Sequence, residues 1–175
     1  MQSVKTLDRV LRAALVLLLV AFVFVVGSAV YQKPIHVVVP GEQAPAFRVT
    51  TDDGRGISMP GFGAKLMVLN FWATWCPPCV EETPSMSQFA KDYAGRGVVV
   101  LAISVDTNEA AYRAFLDKYK PGFLTVREST IHRSYGTFMY PESYIIDSSG
   151  KVVLKIPDRA DWSSPNLRSY IDSLL

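Results

Sequence analysis

Cys76 and Cys79 are the only cysteines among the 175 residues of this chain, and Pro77 and Pro78 lie between them. Two thiols at this spacing can form a disulfide with each other. They follow an apolar run at residues 67–72 and precede a stretch with helical character. A helix N-terminus stabilises a thiolate and lowers the pKa of a cysteine placed there. A reactive thiolate beside a second thiol predicts thiol–disulfide exchange.

Other roles for the cysteine pair fit the sequence less well. A structural zinc ion needs four ligands, and the two histidines, His36 and His132, lack the spacing of such a site. Covalent haem attachment requires a histidine directly after the second cysteine, where this chain has Val80. A purely structural disulfide across so short a loop would stabilise little in the chain-entropy model. We therefore predict a redox-active pair that uses no metal and no other cofactor.

An uncharged apolar segment at residues 13–30 is the second clear feature of the chain. As a helix, its 18 residues would span about 27 Å, close to the thickness of a bilayer's hydrocarbon core. Lys5, Arg9 and Arg12 precede it, and only Lys33 follows closely. The positive-inside rule then places the N-terminus in the cytoplasm and the remainder on the extracytoplasmic, periplasmic side of the cell membrane.

A cleaved signal peptide is the alternative interpretation, because the small residues at 27–29 could form a cleavage site. The apolar run is longer than a usual signal core, which favours a retained single-pass anchor. Both interpretations export the rest of the chain. The predicted organisation is a cytoplasmic N-terminus at 1–12, an anchor or uncleaved signal at 13–31, a tether at 32–40 and one domain at 41–175.

The composition excludes one class of partner. The formal charge is +2, from 18 basic and 16 acidic residues. No basic run with interleaved aromatic residues is present in the sequence, so nucleic-acid binding is not predicted.

Apolar runs alternate with helical stretches along the exported part. We predict strands followed by helices, then a hairpin and a terminal helix, which gives a mixed sheet with helices on both faces. The cysteines then lie where a strand ends and a helix begins, a usual place for chemistry in α/β proteins. The predicted strands are 46–51, 67–72, 98–105, 123–126, 144–146 and 151–156, and the predicted helices are 79–93, 109–119 and one that begins at 164–165.

Three blocks of sequence resemble the thioredoxin superfamily and, more narrowly, the membrane-anchored TlpA/ResA-like thiol–disulfide oxidoreductases. The resemblance covers about residues 40–160 and implies an α/β fold with a thioredoxin-like mixed central sheet flanked by helices. The blocks that carry it are 40–47, 70–79 with Glu82 and Pro84, and 135–147.

The resemblance also implies catalytic roles. Cys76 would be the attacking thiolate and Cys79 the resolving thiol. Cytosolic thioredoxins carry an aspartate where this chain has Asn70, which cannot titrate. The TlpA/ResA-like group has a glutamate at the position of Glu82, so we hypothesise that Glu82 serves Cys79 as acid and base. The alternative is an ordinary first-turn acid favoured by the helix dipole.

Substrate contacts are predicted around the same pair. The resemblance makes Pro141 a cis-proline that faces the disulfide, and the backbone of Tyr140 would pair with substrate as an added strand. Thr137, Phe138 and Met139 depart from the family, which often has valine and glycine there, and their bulk could narrow the groove. The other residues predicted to contact substrate are Trp75, Pro77 and Pro78.

Three further side chains are predicted to be structural. Trp72 belongs to the core, because neighbours on a strand alternate between faces. His132 and Glu81 are predicted to lie on the surface.

The sequence therefore predicts an extracytoplasmic enzyme that reduces protein disulfides through Cys76 and Cys79. The resemblance suggests apocytochrome c as a substrate and a membrane electron donor as the source of reducing power. A thiol peroxidase of peroxiredoxin type is one alternative, although its expected threonine or serine is replaced by Ala73 before Cys76 and by Cys76 before Cys79. A non-catalytic thioredoxin-fold binding module is the other.

Overall fold

The computed structural model describes residues 2–30 and 35–175 and divides into an N-terminal unit and a compact unit that runs from His36 to Leu175. The N-terminal unit contains one helix, α1 (Gln2–Val30). Its segment Leu11–Ser28 is long and apolar enough to cross a membrane, and its side chains are exposed. The helix is consistent with a membrane anchor, as predicted.

The compact unit is built on a five-stranded mixed sheet with the strand order β5-β4-β3-β6-β7. β3, β4 and β5 run parallel, whereas β6 and β7 are antiparallel to their neighbours. The predicted α/β fold with a mixed central sheet is confirmed. The sheet strands are β3 (Leu66–Trp72), β4 (Val98–Ser104), β5 (Leu124–Arg127), β6 (Glu142–Asp147) and β7 (Val152–Ile156). The helices are α2 (Pro77–Tyr93), α3 (Glu109–Tyr119), α4 (Ile131–Ser134) and α5 (Pro165–Ser173).

A separate hairpin precedes the sheet. It pairs β1 (Phe47–Thr50) with β2 (Gly56–Met59) in antiparallel register across a turn at residues 51–55. The sequence predicts β1 but not β2. The four residues of β2 include a glycine and a serine, so they carry no clear strand pattern.

β3 is the centre of the fold, and every residue in it is buried. Because alternate residues face opposite sides of a sheet, Met67, Leu69 and Phe71 pack into one core cluster. Leu66 and Val68 pack into the other, against α2 and the C-terminal part of the domain. A strand covered on both faces is typical of parallel sheets and explains the continuous apolar run.

The segment ahead of the hairpin packs on the domain. Residues 31–34, which include the end of the predicted anchor and the start of the predicted tether, lie outside the described residues. Val38 is buried, and its N–H donates to the carbonyl oxygen of Tyr135. Gly136 has a φ of 67°, and a Cβ there would lie 2.4 Å from the carbonyl oxygen of His36. Only glycine allows this close approach.

Candidate active site

Cys76 and Cys79 form a disulfide at the point where β3 has ended and α2 begins. Cys76 is the N-cap of α2, Pro77 occupies the first turn, and the N–H of Cys79 donates to Cys76 Sγ at 3.3 Å. Proline is favoured at this position, because a first-turn N–H has no partner within the helix. A Cys76 thiolate would receive the same N–H and the positive end of the helix dipole, which lowers a thiol pKa.

A buried carboxylate holds the loop between β3 and Cys76. Asp106 follows β4, and its carboxylate accepts hydrogen bonds from the N–H of Thr74 at 2.9 Å and from its hydroxyl at 2.7 Å. The Ser104 hydroxyl donates to the same carboxylate at 2.6 Å. Asp106 is not among the residues predicted from the sequence, although an acid directly after a parallel strand is a signal that could have identified it.

Glu82 lies one helical turn after Cys79 and is only 3% exposed. Glu82, Cys79 and Pro141 line one cavity of about 10 Å³, together with Asn70 and Trp72. Burial raises the pKa of Glu82 from 4.5 to about 7, even though hydrogen bonds from Trp162 and Ala160 oppose the shift. The carboxyl group can therefore gain or lose a proton near neutral pH, as a general acid or base must.

Two residues that the sequence analysis misses hold this carboxylate. Trp162 Nε1 donates to Glu82 Oε1 at 2.6 Å, and the N–H of Ala160 donates to Oε2 at 3.4 Å. Trp162 is completely buried. A tryptophan within an otherwise polar run at residues 161–164 was the available signal.

The loop before β6 approaches the disulfide from the other side. The peptide bond between Tyr140 and Pro141 is cis, in agreement with the resemblance. The carbonyl oxygen of Tyr140 lies 3.4 Å from Cys76 Sγ, and the Tyr140 ring meets Trp75 edge to face at 6.0 Å. The structure therefore brings Tyr140, Pro141 and Trp75 to the cysteine pair.

Exposed apolar side chains lie on the two segments that carry Cys76 and Tyr140. Trp75 is 64% exposed and Met139 is 77% exposed. We call this set the apolar rim and define it as Trp75, Pro77, Phe138 and Met139, all of which are exposed. Pro78 is partly exposed, whereas Thr137 is buried beneath the loop, so the bulk at the surface comes from Phe138 and Met139.

The prediction that His132 lies on the surface is wrong. His132 is 8% exposed, and its Nδ1 lies 2.7 Å from the carbonyl oxygen of Thr137 and 3.0 Å from the hydroxyl of Tyr140. Its Nε2 lies 3.1 Å from the carbonyl oxygen of Ser129. The imidazole thus lies between Ser129 and the loop that carries Pro141, with a backbone carbonyl oxygen beside each of its nitrogens.

The other two structural predictions agree with the structure. Trp72 is buried and packs against Phe115 with a centroid distance of 4.6 Å. The side chain of Glu81 is 60% exposed and pairs with Arg159 at 2.6 Å.

Comparison with known proteins gives consistent matches. Residues 40–155 match the AhpC/TSA family. The chain is 32% identical over 136 residues to the thiol-disulfide oxidoreductase ResA of Bacillus thuringiensis subsp. konkukian, covering 77% of this chain and 78% of that protein. It is 37% identical over 115 residues to the thioredoxin-like protein YneN of Bacillus subtilis, covering 64% and 68%.

Solved structures show the same relationship. A crystal structure of the thiol:disulfide interchange protein DsbE from Chlorobium tepidum superposes with a TM-score of 0.71 at 27% identity, covering 78% of this chain and 98% of that one. A thiol-disulfide oxidoreductase from Bacteroides vulgatus superposes with a TM-score of 0.67, also at 27% identity, covering 78% and 97%.

Proposed function

The chain belongs to the AhpC/TSA family and is a ResA-like thiol–disulfide oxidoreductase of the thioredoxin superfamily, and on this premise we propose that it reduces disulfides of exported proteins from a membrane anchor. The resemblance in the sequence is thus confirmed. Its homologues imply protein disulfides as substrates. The Cys76–Cys79 pair carries the two electrons itself, with no further cofactor.

In the proposed reaction, the Cys76 thiolate attacks a sulfur of the substrate disulfide. A bond forms between Cys76 and that sulfur, the substrate disulfide breaks, and the released thiolate takes up a proton. Cys79 then gives up its proton, and its thiolate attacks Cys76 Sγ. The mixed disulfide breaks, the Cys76–Cys79 disulfide forms, and the second substrate sulfur leaves as a thiolate that takes up a proton. Two electrons and two protons pass to the substrate. The observation that carries this proposal is the cysteine pair at the N-terminus of α2.

Glu82 is the proposed acid and base for Cys79. Three observations support this role: the two side chains line one small cavity, Glu82 is buried, and its pKa is raised to about 7. Cys79 must be deprotonated to attack the mixed disulfide, and a carboxylate held next to it can accept that proton.

The apolar rim and the loop at Pro141 form the proposed substrate surface. Exposed apolar side chains beside Cys76 would contact the residues that flank a substrate cysteine. The backbone of Tyr140, whose carbonyl oxygen lies 3.4 Å from Cys76 Sγ, would pair with an extended substrate segment. Pro78 and Pro141 are the remaining residues of this proposed site; Pro78 is partly exposed and Pro141 is buried.

The location and partners extend the proposal. Lys5, Arg9 and Arg12 precede the apolar helix, which favours a cytoplasmic N-terminus and an extracytoplasmic catalytic domain. A reductase outside the cytoplasm must be recharged, so we propose a membrane electron donor. Apocytochrome c, a proposed substrate, is suggested by the family resemblance. Alkaline phosphatase fused after Leu175 would be active if the domain is exported and inactive if it is cytoplasmic.

The reduction potential of the full chain in detergent, measured in redox buffers with thiol alkylation, tests the direction of electron flow. A reduction potential of roughly −270 mV, as in thioredoxin, supports a reductase. A reduction potential of roughly −120 mV indicates an enzyme that introduces disulfides. Consumption of peroxide without any disulfide substrate would instead favour the thiol peroxidase alternative.

A further inference from the structure

The segment between β7 and α5 covers the carboxyl group of Glu82. Trp162 Nε1 and the N–H of Ala160 donate to its two oxygens, at 2.6 Å and 3.4 Å. These donors lie about 80 positions away from Glu82 along the chain. The contacts of Glu82 on α2 are thus made by a segment that is distant in sequence, the connection between β7 and α5.

The indole donor is held rigidly. Trp162 is completely buried and packs against Phe89 of α2 with a centroid distance of 5.1 Å. Its carbonyl oxygen accepts a hydrogen bond from Arg168 Nε of α5 at 3.0 Å. A tryptophan fixed by core packing and by its backbone cannot follow Glu82 if the carboxyl rotates, so it sets the orientation of that group.

We propose that Trp162 is a positioning residue for thiol–disulfide exchange: its indole N–H directs the carboxyl of Glu82 into the cavity shared with Cys79 and favours the ionised form of that carboxyl. The inference rests on the proposed acid–base role of Glu82. The indole N–H is a donor at every pH relevant to exchange, and a hydrogen bond to a charged oxygen is stronger than one to a neutral oxygen. Trp162 therefore keeps a larger fraction of Glu82 ionised near neutral pH than burial alone would, so the carboxyl is more often free to take the Cys79 proton.

The other charged groups near Glu82 determine the sign of the expected effect. On the segment after β7, Arg159 favours the carboxylate and Asp158 opposes it. Cys79 faces the same cavity from α2, while β3 contributes the uncharged Asn70 and Trp72. None of these groups changes when the indole is replaced. Loss of the N–H should therefore raise the pKa of Glu82 and move the pH dependence of exchange upward.

The first test uses the full chain in detergent and measures the single-turnover reaction of the reduced enzyme with oxidised glutathione from pH 5 to pH 9. Trp162→Phe keeps an aromatic ring and removes the N–H. We expect its rate midpoint to lie about one pH unit above that of the wild type. Phe71→Leu is the control, because it removes a buried ring from the core cluster on the other face of the sheet and leaves the indole, its packing and its hydrogen bond in place, so its midpoint should stay at the wild-type value.

Indole ¹⁵N NMR of the wild-type full chain gives a second readout that does not depend on the variant folding. The Trp162 N–H resonance should shift with pH along the same titration as the exchange rate, and the shift should disappear in Glu82→Gln. A resonance that stays constant while the rate titrates would overturn the inference.

The outcomes separate this inference from the proposed function. If Glu82→Gln keeps the wild-type pH profile, the acid–base role of Glu82 fails, and the role of Trp162 fails with it. If Glu82→Gln flattens the profile but folded Trp162→Phe keeps the wild-type midpoint, or Phe71→Leu moves it equally, only the role of Trp162 fails.

Discussion

Cys76 and Cys79 share one disulfide and are almost equally buried, at 5% and 4% exposure, yet their surroundings differ. The Cys76 side carries the exposed ring of Trp75 and the carbonyl oxygen of Tyr140. The Cys79 side meets a small cavity and the buried carboxyl of Glu82. The contrast shows that the difference between the two thiols comes from their neighbours rather than from their own exposure. We propose that substrate docks on the Cys76 side and that proton transfer takes place on the Cys79 side.

Substitution of each cysteine should have the largest effect and should separate the two sides completely. Cys76→Ser removes the proposed nucleophile, so exchange should fall to the uncatalysed rate. Cys79→Ser retains the nucleophile but cannot resolve, so a mixed disulfide with the substrate should accumulate. Non-reducing electrophoresis and mass spectrometry of the trapped adduct would distinguish them. An adduct on Cys79 in the Cys76→Ser variant would contradict the assignment.

Glu82→Gln should change how stability depends on pH. The pKa of Glu82 is raised from 4.5 to about 7 in the folded protein. Between these values the folded protein keeps a proton that the unfolded chain has lost. Its contribution to stability is therefore full below about pH 4.5 and is lost as the pH rises through 7.

Between pH 5 and pH 8 the wild type should lose about 2–3 kcal/mol more unfolding free energy than Glu82→Gln, which carries no proton there to lose. Denaturant unfolding at both pH values measures this difference. If the unfolding free energies of the two proteins change equally with pH, the pKa of Glu82 is not raised, and Glu82 is not a suitable acid and base for Cys79.

Trp75→Ala tests the docking side. Removing an exposed aromatic anchor at an interface should lower kcat/KM for a protein disulfide about tenfold. The rate with a small disulfide such as oxidised glutathione should change by less than about twofold, because that substrate is too small to cover the rim. Tyr170→Ala removes an exposed aromatic residue on α5 and is the matched control. Equal losses with both substrates would mean that Trp75 acts on the chemistry instead of on docking.

Arg159→Ala should have the smallest effect. Arg159 pairs with Glu81 at 2.6 Å, but both side chains are more than half exposed. Exposed ion pairs contribute little, so the unfolding free energy should fall by less than about 0.5 kcal/mol. Thermal unfolding at low and high salt measures the change. A loss of unfolding free energy above about 2 kcal/mol would show that the ion pair, and not the buried Trp162, holds the segment between β7 and α5 against Glu82.

The cysteine side of the site could be predicted because its signals are local. The spacing of Cys76 and Cys79, the apolar run before them and the helix after them all lie within about 30 residues. β3 and β4 were predictable for the same reason, since buried parallel strands leave continuous apolar runs. The helix itself starts at Pro77, two residues before the predicted start at Cys79, because the first-turn prolines belong to it.

The residues that support the site could not be predicted, because their partners are distant in sequence. Asp106 meets Thr74 across 32 positions, and Trp162 meets Glu82 across 80. His132 shows the same limit at short range, since Thr137 and Tyr140 lie beside its Nδ1 only when the loop at Pro141 has folded.

The sequence by itself determined which two thiols exchange electrons, that a strand and a helix N-terminus present them, and that an apolar helix precedes the domain. Only the tertiary structure decided that Glu82 is buried, that its pKa lies near 7, and that Trp162 donates to it. The reason is physical. A local pattern specifies backbone conformation and reactive groups, whereas the desolvation that shifts a pKa depends on which distant segments pack over the group.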